Sequence, residues 1–282
     1  MFTDGIVLIK KRKDWTSRDV VNKACKILNT KKIGHCGTLD PFATGVLILG
    51  INKGTKILQF LEGNFKTYIA TLKLGILTET LDNTSEITEN FEVEKYEKVK
   101  IIEVLQGFLG KSMQVTPKYS ARKINGKKLY EYARAGEEIE DIYREIEISS
   151  IELIDYKDDE ITFSATVSKG TYIRQLGLDI AKKLGTAGIL TNLTRISIGN
   201  FNISQTIDID DLSYESLIDY NKSLDFMPTL VLTGELLKKV KNGMTVKLNS
   251  TEQRLLLKDE NNQNIAIYDL NKNGFYKCVR GL

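Results

Sequence analysis

Residues 31–50, KKIGHCGTLDPFATGVLILG, constrain the chain more than any other stretch. Three glycines and a proline precede an apolar run, which reads as an irregular loop entering a strand. Gly34, Gly37 and Gly45 permit tight backbone geometry and close approach of a ligand. The loop presents one acid, Asp40, held by Pro41 after it and preceded by Lys31 and Lys32. Taken alone, Thr-Leu-Asp-Pro is a turn in which Asp40 bonds its own backbone.

Composition removes most other chemistries. At 282 residues the chain has room for one large domain, or one large and one small. Hydrophobic residues at 41% and charged residues at 27% are ordinary for a folded chain, so wholesale disorder is excluded. No run of about 18 apolar residues occurs, so no transmembrane helix is expected. The basic cluster near the N-terminus follows its apolar stretch, the reverse of a signal peptide, and a cytoplasmic protein is expected. There is one histidine, His35, and the three cysteines form no C-x-x-C pair. A disulfide framework or a Cys/His zinc site is therefore not expected. Nucleophile-elbow, P-loop and dinucleotide fingerprints do not occur either. Neither metal nor cofactor is expected, and a carboxylate, tyrosine or lysine must carry any catalysis.

The net charge is only +3 but unevenly spread. Residues 1–60 hold eleven Lys and Arg against four Asp, and residues 110–134 hold seven against Glu131 alone. Such asymmetry suits a polyanion. Tyr119, Tyr130 and Tyr132 interleave with the second cluster, where aromatics serve as stacking platforms or as ordinary packing.

The patterning predicts a strand at 5–9 and a helix opened by Thr16-Ser17 with Val20, Val21, Ala24, Ile27 and Leu28 inward. A short helix is expected at 54–61, a strand at 66–74, loops at 78–92 and 114–126, and helices at 94–108 and 129–135. Alternation predicts paired strands at 144–154 and 160–168 around a turn at 157–159. A helix at 171–184 stops at Gly185, and a strand pair follows at 193–201. Past Met227-Pro228, a helix at 235–242 and strands at 245–248, 254–258, 264–269 and 275–279 suggest a small barrel-like unit.

Four separated motifs then resemble one family in its own order. His35 to Leu47 is similar to the G-H-x-G-T-L-D-P-x-A-T-G-V-L signature of the TruB family of tRNA pseudouridine synthases. Lys66-Thr67-Tyr68 with Leu74-Gly75 resembles its K-x-Y and L-G elements, and residues 114–123, QVTPKYSARK, its Q-x-P-P-x-Y-S-A-x-K element. Residues 168–174, SKGTYIR, match its strand-to-helix motif, and Leu193-Thr194-Arg195 stands at its L-x-R. Two departures occur. Lys11-Arg12-Lys13-Asp14 lacks the Pro and Gly of the family's K-P-x-G, and Thr116 replaces the first Pro of its P-P pair.

The resemblance implies conversion of uridine 55 in the tRNA T-loop to pseudouridine, without cofactor or energy input. It implies Asp40 as the catalytic acid, acting as nucleophile, as a stabiliser of charge at C1′, or as a base toward the sugar. It implies Tyr68 stacked on the flipped base and Arg174 paired with Asp40. Leu193, Thr38, Leu39 and Tyr172 are implied around the substrate, with His35 under displaced bases and Asp82 against the flipped or neighbouring bases. Lys11, Lys31, Lys32, Lys123 and Lys169 are expected at phosphates. The implied fold is α+β, a mixed and mostly antiparallel sheet with flanking helices, plus a small C-terminal PUA-like β domain. The implied division is 1–228 catalytic and 229–282 RNA-binding, in a monomer whose partner is the T-arm of tRNA and which needs no protein partner. Two other readings are a tRNA-folding factor with secondary catalysis and a guide-RNA-dependent synthase, the latter disfavoured by the lack of a basic low-complexity tail.

Overall fold

The apolar run near the N-terminus forms β1 (Gly5–Lys11), buried throughout except at Lys10. The structure is a computed structural model describing residues 3–63, 65–120, 122–137 and 139–282. Thr16 caps α1 (Ser17–Ile27) through a reciprocal capping box with Asp19, and Val20, Val21 and Ala24 face the sheet. β2 (Ile33–Cys36) and β3 (Thr44–Ile51) flank the glycine-rich loop, and a 3-10 turn (Asn52–Lys56) leads to the short α2 (Leu58–Leu61).

β4 (Phe65–Leu74) has the cleanest alternation, burying Lys66, Tyr68, Ala70, Leu72 and Leu74 on one face. The expected loop after it contains a hairpin, β5 (Ile76–Thr78) with β6 (Ile87–Asn90). Next come α3 (Lys98–Gln106), β7 (Gly110–Val115), the small hairpin of β8 (Lys123–Ile124) and β9 (Lys127–Lys128), and α4 (Leu129–Arg134). Tyr132 lies under Lys127, and Tyr130 under Lys128 and Arg134, so the cluster's own cations cover two of its three tyrosines.

The long hairpin of β10 (Tyr143–Lys157) and β11 (Glu160–Ser168) turns at Asp158-Asp159, both at positive φ, in a two-residue connection. After it come α5 (Ile173–Lys183), β12 (Gly188–Ile198), β13 (Phe201–Asn202) and β14 (Ile218–Asp219). The main sheet runs β14-β1-β3-β12-β4-β11-β10-β7, with β2 also on β3 and β13 on β12. Every pairing in it is antiparallel except β3 with β12. This is the expected mixed, mostly antiparallel α+β arrangement.

The C-terminal sheet has the order β15 (Thr229–Val231), β16 (Arg254–Lys258), β17 (Asn264–Leu270), β18 (Tyr276–Gly281), with α6 (Gly234–Lys241) beside it. β15 runs parallel to β16, and the expected strand at 245–248 is reduced to one bridge, Val246 to Tyr276. Leu232, Leu237, Val240, Tyr268 and Tyr276 form its own core. Leu256 and Ile267 instead join Ile6, Leu8, Val46, Ile48 and Phe60 in a shared core with the main sheet.

Candidate active site

Asp40 stands where one edge of β3 is divided between two partners. β12 pairs with β3 at Thr44 and Gly45, and β2 pairs with it from Ile48 to Ile51. Residues 37–43 leave β2 at this division. Gly45 allows the crossing: it sits at φ +103°, and a Cβ there would lie 2.2 Å from the Arg195 carbonyl oxygen. The loop is anchored from the N-terminal segment. Ser17 Oγ accepts the Leu39 amide at 3.0 Å, and the Asp14 amide donates to the Pro41 carbonyl at 2.9 Å.

Lys11 joins this anchoring. Its Nζ donates to the Pro41 carbonyl at 3.0 Å and to the carbonyls of Arg12 and Trp15. Pairing of Lys11 with Gly45 turns the side chain beneath the loop, where it is fully buried. Burial pushes its ammonium down to about 8, against the pull of Asp40 and Asp14. Lys11 supports the backbone under Asp40.

Arg174 enters from the first turn of α5. Its Nε donates to Asp40 Oδ2 at 2.9 Å and its Nη2 to Oδ1 at 3.3 Å, a two-pronged pair. Nη1 donates to the Thr80 carbonyl at 2.5 Å and Nη2 to the Tyr119 carbonyl at 3.0 Å. The start of α5 is itself clamped by buried Gln114 on β7. Its Oε1 accepts the Tyr172 amide at 2.9 Å, and its Nε2 donates to the Tyr172 carbonyl at 3.1 Å. The sequence placed Gln114 in a motif but gave it no role.

Asp82 stands behind Arg174. Expected against bases, it is buried, and its Oδ1 accepts the Thr80 hydroxyl, the Thr84 amide and the Thr84 hydroxyl. Its Oδ2 lies 3.7 Å from Arg174 Nε. The carboxylate caps its own loop and adds negative charge behind Arg174. It is absent from the wall of the cavity onto which Asp40 opens.

That cavity has a volume of about 300 Å³, the small end of the range for ligand pockets. Asp40, Arg174, Tyr68, Leu193, Tyr172, Thr38, Leu39 and Lys169 line it, so eight of the fourteen expected site residues converge. Tyr68 on β4 sits beside Arg195 and Ala165 in register, and Leu193 on β12 faces Ala70. His35 and Lys123 stand outside the cavity, on β2 and on the exposed β8 hairpin. Burial, with Arg195 and Arg18 nearby, lowers the His35 imidazole below its ordinary value and favours its neutral form.

The cavity wall also holds Glu62, Lys66, Arg144 and Lys169. Lys66 and Lys169 lie in the sequence motifs. Glu62 and Arg144 carried no local signal, because only strand pairing brings their segments together. A carboxylate paired with a buried guanidinium, an aromatic face and an apolar wall can stabilise positive charge developing beside a planar ring.

Residues 25–173 match the model of the TruB family pseudouridylate synthase N-terminal domain. The chain is 40% identical to the tRNA pseudouridine synthase B of Clostridium kluyveri, covering 98% of this chain and 99% of that protein. It is 36% identical to the protein of the same name from Mesoplasma florum, covering 100% and 99%. Among solved structures, a Cbf5-Nop10-Gar1 complex contains a chain of the same fold, with TM-score 0.71 and 22% identity over 95% of this chain and 78% of that one. A chain in an H/ACA RNP bound to a substrate RNA containing 2′-deoxyuridine gives TM-score 0.69 and 21% identity over 94% and 77%. Likeness at 40% identity along nearly the whole length is common descent rather than shared architecture alone: the chain belongs to the TruB family of pseudouridylate synthases.

Proposed function

We propose that this protein converts uridine 55 in the T-loop of tRNA to pseudouridine, as a tRNA pseudouridine(55) synthase. The observation that carries the reading is the Asp40–Arg174 pair opening onto a cavity walled by Tyr68 and Leu193. The reaction breaks the N1–C1′ bond and forms a C5–C1′ bond, and the C5 proton leaves as N1 regains one. No atom is gained or lost. Asp40 supplies the negative charge that glycosidic cleavage requires at C1′, as nucleophile or as electrostatic partner. Arg174 fixes its orientation. Tyr68 stacks on the uracil, and its hydroxyl helps to remove the C5 proton after the new bond forms. Leu193 and Leu39 keep water from the cleaved base.

The base must leave its stack to enter a cavity this small, at a cost of a few kcal/mol that backbone contacts offset. Lys31, Lys32 and Lys123 are exposed and make no ion pair among the described residues, so they are free for phosphates. His35, outside the cavity, meets RNA beyond the target nucleotide. The reading includes a catalytic part at 1–228 and an RNA-binding part at 229–282, in a cytoplasmic monomer acting without a protein partner.

The test is T-arm RNA tritiated at uridine C5, given to purified protein with no other protein present. Tritium release mapping to position 55, and abolished by Asp40→Asn with binding retained, is the expected result. Binding without release from the wild type overturns the stand-alone enzyme and favours a tRNA-folding role or a missing partner.

A further inference from the structure

Asp40 and Arg174 neutralise one another, so the remaining charges of the cavity are Glu62 against Lys66, Lys169 and Arg144. Glu62 follows α2, and its carboxylate spans the two lysines. Oε1 accepts Lys66 Nζ at 2.8 Å, and Oε2 is paired with Lys169 Nζ. Lys66 is almost fully buried, whereas Lys169 is largely exposed at the rim. Burial alone would raise the Glu62 carboxyl, but the hydrogen bonds from Lys169 and Lys66 outweigh it and hold it below the ordinary value.

Two guanidinium groups nearby keep unused donors. Arg195 is fully buried, and its Nη1 has no hydrogen-bond partner among the described residues; the same holds for Arg144 Nε. A Cβ on Gly37 would stand 3.3 Å from Arg195 Nη1, 3.4 Å from Lys66 Nζ and 3.7 Å from Glu62 Oε1. The cationic cluster therefore abuts the loop that carries Asp40. Arg144 packs so closely on Gly170 that a Cβ there would lie 2.1 Å from its Nη2. Along β4, Lys66 lies two residues from Tyr68 on the same face, about 7 Å away. Excess cations beside one carboxylate, within a nucleotide's reach of the reacting carbon, suit a second anion better than the one present.

We propose that Glu62 is an internal stand-in for a substrate phosphate: bound RNA displaces its carboxylate from Lys66 and Lys169 and seats there a phosphodiester adjoining the target uridine. This rests on the proposed tRNA reading. A phosphodiester carries the same single charge as the carboxylate, so the exchange leaves the charge of the cavity unchanged. Its additional oxygens face Arg144, which lines the same cavity. In the free protein Glu62 keeps two closely spaced ammonium groups from repelling one another, and on binding its carboxylate leaves both of them for solvent.

The test measures Kd for T-arm RNA in an Asp40→Asn background, so that turnover does not intervene. Glu62→Gln removes the competing charge and is expected to bind about tenfold tighter, one charge-assisted hydrogen bond's worth. Lys169→Gln, at an exposed position that folding tolerates, is expected to bind about tenfold weaker. A single neutral methylphosphonate is then placed at each linkage flanking the target uridine. At one linkage both effects should vanish together. Unchanged or weaker binding by folded Glu62→Gln overturns the proposal, as does a gain that persists at every linkage. If Lys169→Gln alone is available because Glu62→Gln melts early, loss of its effect at one linkage supports the subsite, and an effect present at all linkages overturns it. Tritium release by the wild type reports separately on the enzymatic reading.

Discussion

Arg174 shows how one side chain joins stability to chemistry. It is buried against two carboxylates and two carbonyls. Arg174→Ala strands Asp82 in the interior and should cost about 3–5 kcal/mol, the usual penalty for breaking a buried pair, measured by denaturant unfolding. Arg174→Lys retains the charge but cannot reproduce the fork. It should fold and lose about 100-fold in kcat while KM changes little. Lys11 makes a different kind of prediction. Its folded value of about 8 lies below the 10.5 of an exposed lysine, so the unfolded chain holds more protons between those values. Stability from this residue should rise as pH increases from 8 to 10.5, and an NMR titration of the Lys11 side chain should give a midpoint near 8.

The elements explain the two sequence departures. Asp14 occupies φ +64°, the left-handed region, at the position where the family pattern has glycine. Asp14→Gly should therefore raise stability by about 1 kcal/mol or less, read as a higher denaturant midpoint with an unchanged slope. Arg12, in place of proline, stiffens the same loop by another route. It pairs with Asp208 and Asp210 across the chain, and Lys23 joins Asp210. Exposed pairs of this kind weaken with salt, so Arg12→Ala should lower the melting temperature at low salt and much less at high salt. Thr116, in place of the other proline, donates its amide to the Ile142 carbonyl at 2.8 Å, and its hydroxyl accepts from Arg122 at 3.1 Å. Proline could make neither bond.

Across the whole molecule, charge and core are shared between distant segments. Lys11 is buried, Arg12 and Lys23 meet Asp210, Lys111 meets Glu145 and Lys127 meets Glu137. Part of the basic excess is thus matched within the fold. The C-terminal sheet contributes Leu256 and Ile267, both fully buried, to the core under β1 and β3. Leu256→Ala should cost about 2–5 kcal/mol, and thermal unfolding of the wild type should show one transition rather than two. Two separated transitions would contradict a shared core.

The residues that report their own conformation were readable without the fold. Alternation along 66–74 and 160–168 marks strands because side chains in a strand change face at every residue. Thr16 marks a helix start and Gly185 a helix end because each satisfies, or permits, a backbone geometry set within a few residues. The same locality kept Asp40, Tyr68 and Arg174 legible, since each lies in a compact motif. Partners were another matter. Whether Lys11 faces RNA or the underside of a loop depends on pairing with Gly45, and whether Asp82 meets a base depends on Thr84 and Arg174. The meeting of Glu62 with Lys66, Lys169 and Arg144 needs β4, β10 and β11 in one register. The sequence by itself determined the local elements and the types of chemistry on offer. Only the tertiary structure decided which charges are satisfied, because strand register and side-chain burial arise from contacts between segments far apart in the chain, where no local period carries the information.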